Sequence, residues 1–263
     1  MFWKRLIIAI IFIPLLILSI WKGTIIFLGV VCFVVLTGLF EFFQAIEKGG
    51  NPFVREALFL GGLYPVLIYL KGEEIIPLFL LIIIFFIFLR QLLKFDPRNS
   101  FKSISLSLGG IIYIPFLFSF IILLREIPDW GTKLVITLFF VTWMGDSGAY
   151  FIGTKWGKHK SFSRLSPYKS FEGFIGGVFT ATIAMIISRG WLPFSLISAL
   201  FMGIMMGVMG EMGDLFSSMI KREVGIKDFG NILPGHGGIL DRFDSLLFTT
   251  PLFYYFVKCY LVI

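Results

Sequence analysis

Apolar runs of about 20 residues follow one another along nearly the whole chain, separated by short polar loops. A membrane-spanning helix needs about 20 mostly apolar residues, within a range of about 17–25. Nine runs meet or approach that length, at about 6–21, 24–43, 57–70, 75–93, 104–124, 133–153, 172–188, 194–220 and 244–262. The expected fold is therefore all-α, a polytopic integral membrane protein of about nine transmembrane helices. With 57% hydrophobic and only 15% charged residues, against roughly 25% charged in a soluble domain, a soluble fold would have to hide more apolar surface than one core holds. The third run is short and carries Gly61, Gly62 and Pro65, which fits a tilted, broken or partly spanning helix. The first run follows Met1-Phe2-Trp3-Lys4-Arg5 like a signal peptide. It continues through Ile20 with Pro14 inside it and no small-residue cleavage site, so it reads as a retained first span.

Basic residues set the orientation, because lysine and arginine concentrate in cytoplasmic loops. With the N-terminus in the cytoplasm, only Lys22, Lys71, Arg125, Lys133, Arg189 and Lys258 fall outside, and the other 17 of the 23 basic residues fall inside. The two most basic loops, 154–171 and 221–243, share the cytoplasmic side. The location expected is a bacterial inner membrane with the chemistry facing the cytoplasm. The net charge of +7 lies in loops and forms no stripe for nucleic acid. Cys32 and Cys259 both sit inside apolar runs, so neither a disulfide framework nor a cysteine metal site is available.

Polarity divides the chain in two. Residues 1–130 are chemically bland and read as a membrane scaffold with a homodimer surface or a lipid-facing groove; their one exception, Glu41 at the end of span two, is expected to snorkel to the interface. Residues 131–263 read as the catalytic membrane region. Here Asp146, Glu211 and Asp214 fall within or at the ends of apolar spans, where a charge costs at least about 2.5–3.5 kcal/mol. Such groups face a polar cavity or a partner, or else form a structural ion pair between helices. Glu211 and Asp214 are three apart and share a helix face with Ser217, Ser218 and Lys221. Gly203, Gly207, Gly210 and Gly213 on the same helix allow close packing of a neighbour, which leaves the carboxylates unexplained.

The densest polar segment is Lys221–Asp244. It contains Lys221, Arg222, Lys227 and Arg242, four acids including Asp228, Asp241 and Asp244, His236, and a glycine-rich stretch from Pro234 to Gly238. Glycines let backbone N–H groups approach an anion, the basic side chains neutralise phosphate, and Asp214, Asp228, Asp241 and Asp244 offer the hard oxygen ligands that suit magnesium held together with substrate phosphates. A single histidine in the loop argues against zinc. The loop after span six is similar in character. It opens on Asp146-Ser147-Gly148-Ala149-Tyr150 and runs through Gly153 to Ser166-Pro167-Tyr168-Lys169-Ser170-Phe171-Glu172-Gly173. Lys158 and Lys160 are accounted for by orientation, whereas Lys169 and Glu172, set between Ser-Pro and Gly, are candidates for function. Neither loop has the Walker pattern of a P-loop. Basic residues and magnesium-type carboxylates at one membrane face point to phosphate chemistry between a soluble nucleotide and a lipid, where positioning and charge neutralisation supply most of the catalysis.

Ser218-x-x-Lys221-Arg222, then Lys227-Asp228, then Pro234-Gly235-His236-Gly237-Gly238-Ile239-Leu240-Asp241-Arg242-Phe243-Asp244 resembles the motif of the phosphatidate cytidylyltransferases, the CDP-diacylglycerol synthases. Asp146-x-x-Ala149-Tyr150-x-x-Gly153 and Ser166-Pro167-x-Lys169-Ser170-x-Glu172-Gly173 are also similar to that family, with Ser170 where threonine is commoner and the hydroxyl retained. The resemblance implies transfer of the cytidylyl group of CTP to phosphatidate, giving CDP-diacylglycerol and pyrophosphate. Carried over by position, Asp214 and Asp241 are the expected metal ligands, for magnesium with a monovalent cation such as K+ beside it. Lys221, Arg222, Lys227 and Arg242 would bind phosphates; Asp228, His236 and Asp244 would orient them or complete the metal shell; Ser166, Lys169 and Glu172 would help hold CTP, with Asp146 alongside. The expected partners are CTP, phosphatidate and membrane lipids, with a homodimer and no nucleic acid. The competing readings are another lipid nucleotidyl- or phosphotransferase (a polyprenol or phytol kinase, or an ether-lipid cytidylyltransferase), and an ion-coupled transporter. Intramembrane acids and glycine-broken helices are transporter features, but the polar residues here gather at one face instead of the midplane.

Overall fold

A computed structural model of the chain describes residues 2–46, 51–95, 97–160, 169–232 and 237–261, and every regular element among them is helical. In order these are α1 (Phe2–Lys22), α2 (Thr24–Ile46), α3 (Val54–Lys71), α4 (Ile75–Lys94), α5 (Ser100–Ile111), α6 (Leu117–Arg125), α7 (Gly131–Trp156), α8 (Phe171–Ser188), α9 (Leu196–Glu223) and α10 (Leu240–Leu261). Among the described residues six stretches are long and apolar enough to cross a membrane: Ile25–Ile46, Val54–Lys94, Ser100–Arg125, Gly131–Trp156, Phe171–Ser188 and Leu196–Glu223. The fifth apolar run of the sequence is a continuous helical rod, α5 to α6, joined by a π-helical turn at Ile112–Phe116. Pro115 lies in that turn, and a missing N–H is a common cause of such an irregularity.

Two compact units make up the chain. One comprises Met1–Leu123 with Val224–Arg242, the other Leu124–Glu223 with Phe243–Ile263. Most of the dense polar loop thus belongs with the first six helices.

In the first unit, α4 has an inverted surface. Phe79, Ile83, Ile87 and Gln91, four apart, form the buried stripe. Positions between them, including Leu81, Phe85, Phe88 and Leu92, are apolar and exposed. A helix that is apolar all round needs a non-aqueous surrounding on its free face.

In the second unit glycine sets the spacing of α7, α8 and α9. A Cβ on Gly203 would lie 2.6 Å from the Thr182 Cα, and one on Gly207 would lie 2.6 Å from the Val178 Cα. On the other side of α8, Gly153 and Gly173 approach each other backbone to backbone. Small residues let helices approach this closely where no hydrophobic force drives them together. Replacing Gly207 with leucine is therefore expected to abolish the monodisperse folded peak on size-exclusion chromatography in detergent. Gly29→Ala, where a Cβ meets nothing within 4 Å, is expected to leave it intact. α7 continues to Trp156, three residues beyond the apolar run of about 133–153, and Asp146 to Gly153 are helical as that run requires. Their small residues face α8 and let the two backbones approach.

Candidate active site

The second unit holds a cavity of about 430 Å³ lined by side chains of Asp146, Tyr150, Lys169, Phe174, Glu211 and Asp214, and by the backbone of the α7–α8 approach. α9 delivers Glu211 and Asp214 to one face, as their spacing requires. Lys169, just before α8, places its Nζ 3.1 Å from Glu211 Oε2 and 2.7 Å from Asp214 Oδ2. Burial opposes the charge on Lys169, but the carboxylates of Asp214 and Glu211 outweigh it and hold its ammonium above the ordinary lysine range. Ser170 caps α8, its Oγ accepting the Gly173 N–H, and this fixes the backbone beside Lys169. Gly177 leaves the room that Glu211 occupies, since a Cβ there would lie 2.8 Å from Glu211 Oε1.

Behind this pair the polar groups continue inward. Asp146 accepts a hydrogen bond of 3.1 Å from Ser245 Oγ and lies within electrostatic reach of Asp244, Asp214 and Glu211. Asp244 Oδ2 stands 4.0 Å from Lys221 Nζ, both side chains being buried. Four acids and two lysines thus share one unit. The bland reading of the acids, a structural ion pair, covers part of the cluster: Lys169 pairs with two of them. It leaves unexplained why such a cluster should border an open cavity.

Of the rest of the sequence-derived set, Lys227, Asp228, Asp241 and Arg242 lie in the first unit and Arg222 and Glu172 in the second. Lys227, Asp228 and Arg242 are exposed; so is Arg222, at the end of α9. Asp241, in the first turn of α10, uses Oδ2 to accept the N–H groups of Phe229 (2.9 Å) and Gly238 (3.1 Å), tying the two arms of the glycine loop together. Gly237, at φ +85°, adopts the left-handed backbone glycine tolerates, with Asp228 packed against it. Glu172 does not line the cavity. It accepts the backbone N–H groups of Lys158 and His159, and the His159 ring nitrogen, closing the turn after α7. Ser166 and His236 lie outside the described residues. No three His, Cys, Asp or Glu side chains among the described residues are grouped to hold a metal unaided.

Sequence reasoning missed two residues. Ser245 follows the acid that closes the motif and carries no signal of its own. Glu41 does carry one, an acid in an apolar span, but the expectation that it snorkels is wrong: it is 1% exposed, and its carboxylate accepts the N–H groups of Ile239 (3.1 Å) and Leu240 (2.9 Å). Those amides are the uncapped donors of a helix start, so the acid is drawn inward instead of to the interface.

Residues 3–260 match the sequence profile of the cytidylyltransferase family. The chain belongs to that family. A phosphatidate cytidylyltransferase of Bacillus subtilis (strain 168) is 42% identical over 151 residues, 57% of this chain and 56% of the relative. A phosphatidate cytidylyltransferase of Staphylococcus aureus (strain COL) is 38% identical over 181 residues, 68% of each chain. An uncharacterized protein, YnbB, of Escherichia coli (strain K12) is 40% identical over 177 residues, 65% of this chain and 59% of the relative. The aligned part thus spans less than two thirds of the Bacillus and Escherichia proteins.

Proposed function

We infer that this protein transfers the cytidylyl group of CTP to phosphatidate, giving CDP-diacylglycerol and pyrophosphate. The observation that carries the reading is its 38–42% identity to proteins named phosphatidate cytidylyltransferase, together with the motif from Ser218 to Asp244. A phosphatidate phosphate oxygen attacks the α-phosphorus of CTP; the new O–P bond forms as the bond to the β-phosphate bridging oxygen breaks, and pyrophosphate leaves with that electron pair. The attacking phosphate is already anionic near neutral pH, so no general base is required. Lys169, held charged by its two carboxylates, and Lys221 offset the negative charge of the converging phosphates. Arg222, Lys227 and Arg242 serve the same end from exposed positions, with Asp228, His236 and Asp244 orienting them. Ser166 and Glu172 act from the α7–α8 connection, Glu172 by holding its turn.

Magnesium fits the donor set. Asp146, Asp214 and Asp244, in the second unit, offer hard oxygen ligands, and magnesium is commonly held by one or two carboxylates plus substrate phosphates, so a preformed cluster of three is not needed. Asp214 and, from the motif alone, Asp241 are the proposed ligands, with a monovalent cation such as K+ proposed beside the magnesium. Bound magnesium would neutralise charge on the nucleotide phosphates.

The proposed nine-helix arrangement rests on the nine apolar runs, and the cytoplasmic placement of the N-terminus and both basic loops, in an inner membrane, rests on the distribution of lysine and arginine. The inverted surface of α4 is available for lipid or for a second copy of the chain.

The deciding measurement is pyrophosphate release from CTP by purified protein in detergent micelles. Release is expected only with added phosphatidate, to be lost on chelating divalent cations and to return with magnesium. Equal release without phosphatidate, or with a polyprenol in its place, would overturn the substrate assignment.

A further inference from the structure

We propose that Glu41 is a positioning residue for the reaction, holding residues 229–232 and 237–241 in the geometry that the functional side chains beside them need. The effect on rate rests on the cytidylyl-transfer reading; the effect on the loop does not.

Glu41 comes from α2, in the part of the sequence with the least chemistry, and its acid is buried against the loop from the far end of the chain. Its two oxygens take separate amides, Oε1 from Ile239 and Oε2 from Leu240. The backbone of Gly230 and Gly238 closes over the same carboxylate so tightly that a Cβ on either would overlap it. Asp241 meanwhile joins Phe229 to Gly238. The loop is therefore pinned by two acids, one inside it and one brought from α2. The α2 face is built for this contact. Leu240 packs beside Gly38, and the Phe42 ring packs on Phe229 at 6.2 Å between centroids.

Capping a helix is a sufficient structural reason for an acid, but a serine or aspartate at the helix's own start would do it locally. Burying an acid on a membrane helix is costly, and the cost here secures both arms of the loop as well as the cap. Lys227, Asp228 and Arg242 are attached to those arms. Small displacements of positioned groups have large effects on rate: misplacement by about 1 Å costs about 10²-fold.

The test compares wild type with Glu41→Ala and Glu41→Gln by hydrogen exchange and steady-state kinetics. Glutamine keeps one acceptor and is the milder change. Exchange at amides 229–232 and 237–241 is expected to speed up in both variants, more in Glu41→Ala, while amides of α7, α8 and α9 exchange as before. Turnover is expected to fall about 10²-fold in Glu41→Ala and less in Glu41→Gln, with KM for CTP rising in the same order because Lys227 and Arg242 are displaced. Unaltered exchange at 229–232 and 237–241 overturns the proposal, as does exchange that rises throughout the protein in the milder Glu41→Gln. Faster loop exchange with full turnover removes the positioning role and leaves only the cap. If wild type itself shows no phosphatidate-dependent turnover, the cytidylyl-transfer reading fails, and the exchange pattern alone decides whether Glu41 holds the loop.

Discussion

Lys169→Met is expected to lower turnover about 10²- to 10³-fold, the cost of removing one charge-stabilising group from a preorganised site. The substitution keeps the length of the stem and removes the ammonium that stands between Glu211 and Asp214. Two carboxylates are then left facing each other, Glu211 with a side chain only 7% exposed. Breaking a buried pair in this way destabilises by about 3–5 kcal/mol. The two effects separate in the double variant Lys169→Met/Glu211→Gln. Removing the second charge relieves the repulsion, so the melting temperature is expected to recover while turnover stays low. Thermal melts and initial rates on the same preparations measure both. A single variant as active per folded molecule as wild type would remove Lys169 from the site.

Asp214→Asn and Asp241→Asn are each expected to lower turnover by about 10²-fold or more and to raise the magnesium concentration needed for half-maximal rate. For Asp241 the amide is the informative change. An asparagine oxygen still accepts the Phe229 and Gly238 N–H groups, so the loop keeps its fold and only the charge is lost. If Asp241 serves the loop alone, Asp241→Asn retains activity and Asp241→Ala loses it; if it holds a cation, both lose it. Asp214 carries a similar ambiguity, because its Oδ2 pairs with Lys169. The magnesium titration resolves it, since loss of a phosphate-binding lysine contact moves KM for CTP and loss of a ligand moves the metal requirement. Turnover like wild type in both asparagine variants would sink the metal assignment.

The helices were legible in the sequence because lipid imposes length and apolarity on each one locally. Their ends were less so: the fifth run is two helices, α5 and α6, joined by the π-helical turn that holds Pro115, a break that hydropathy does not register. Asp146, Glu211 and Asp214 could be found because an acid in an apolar span needs a reason. Their partners could not be found that way. Lys169 lies 42 residues from Glu211 in the chain, and nothing in either segment names the other. Glu41 was visible as an anomaly and misread for a physical reason: it bonds to backbone amides, which every residue but proline has, so no side-chain pattern marks the destination.

The pairing of Glu41 with Ile239 and Leu240 also has a consequence in time. The partners are 198 and 199 residues apart, and chains are made at about 5–20 residues per second. The acid on the second helix therefore exists for about 10–40 seconds before the amides that bond it have been synthesised. Until the last helix begins to emerge, the nascent chain carries an uncapped acid at the end of an apolar span. A ribosome that stalls before residue 239 leaves a product with that acid unmet, open to water, to chaperones and to proteases in a way the finished protein is not.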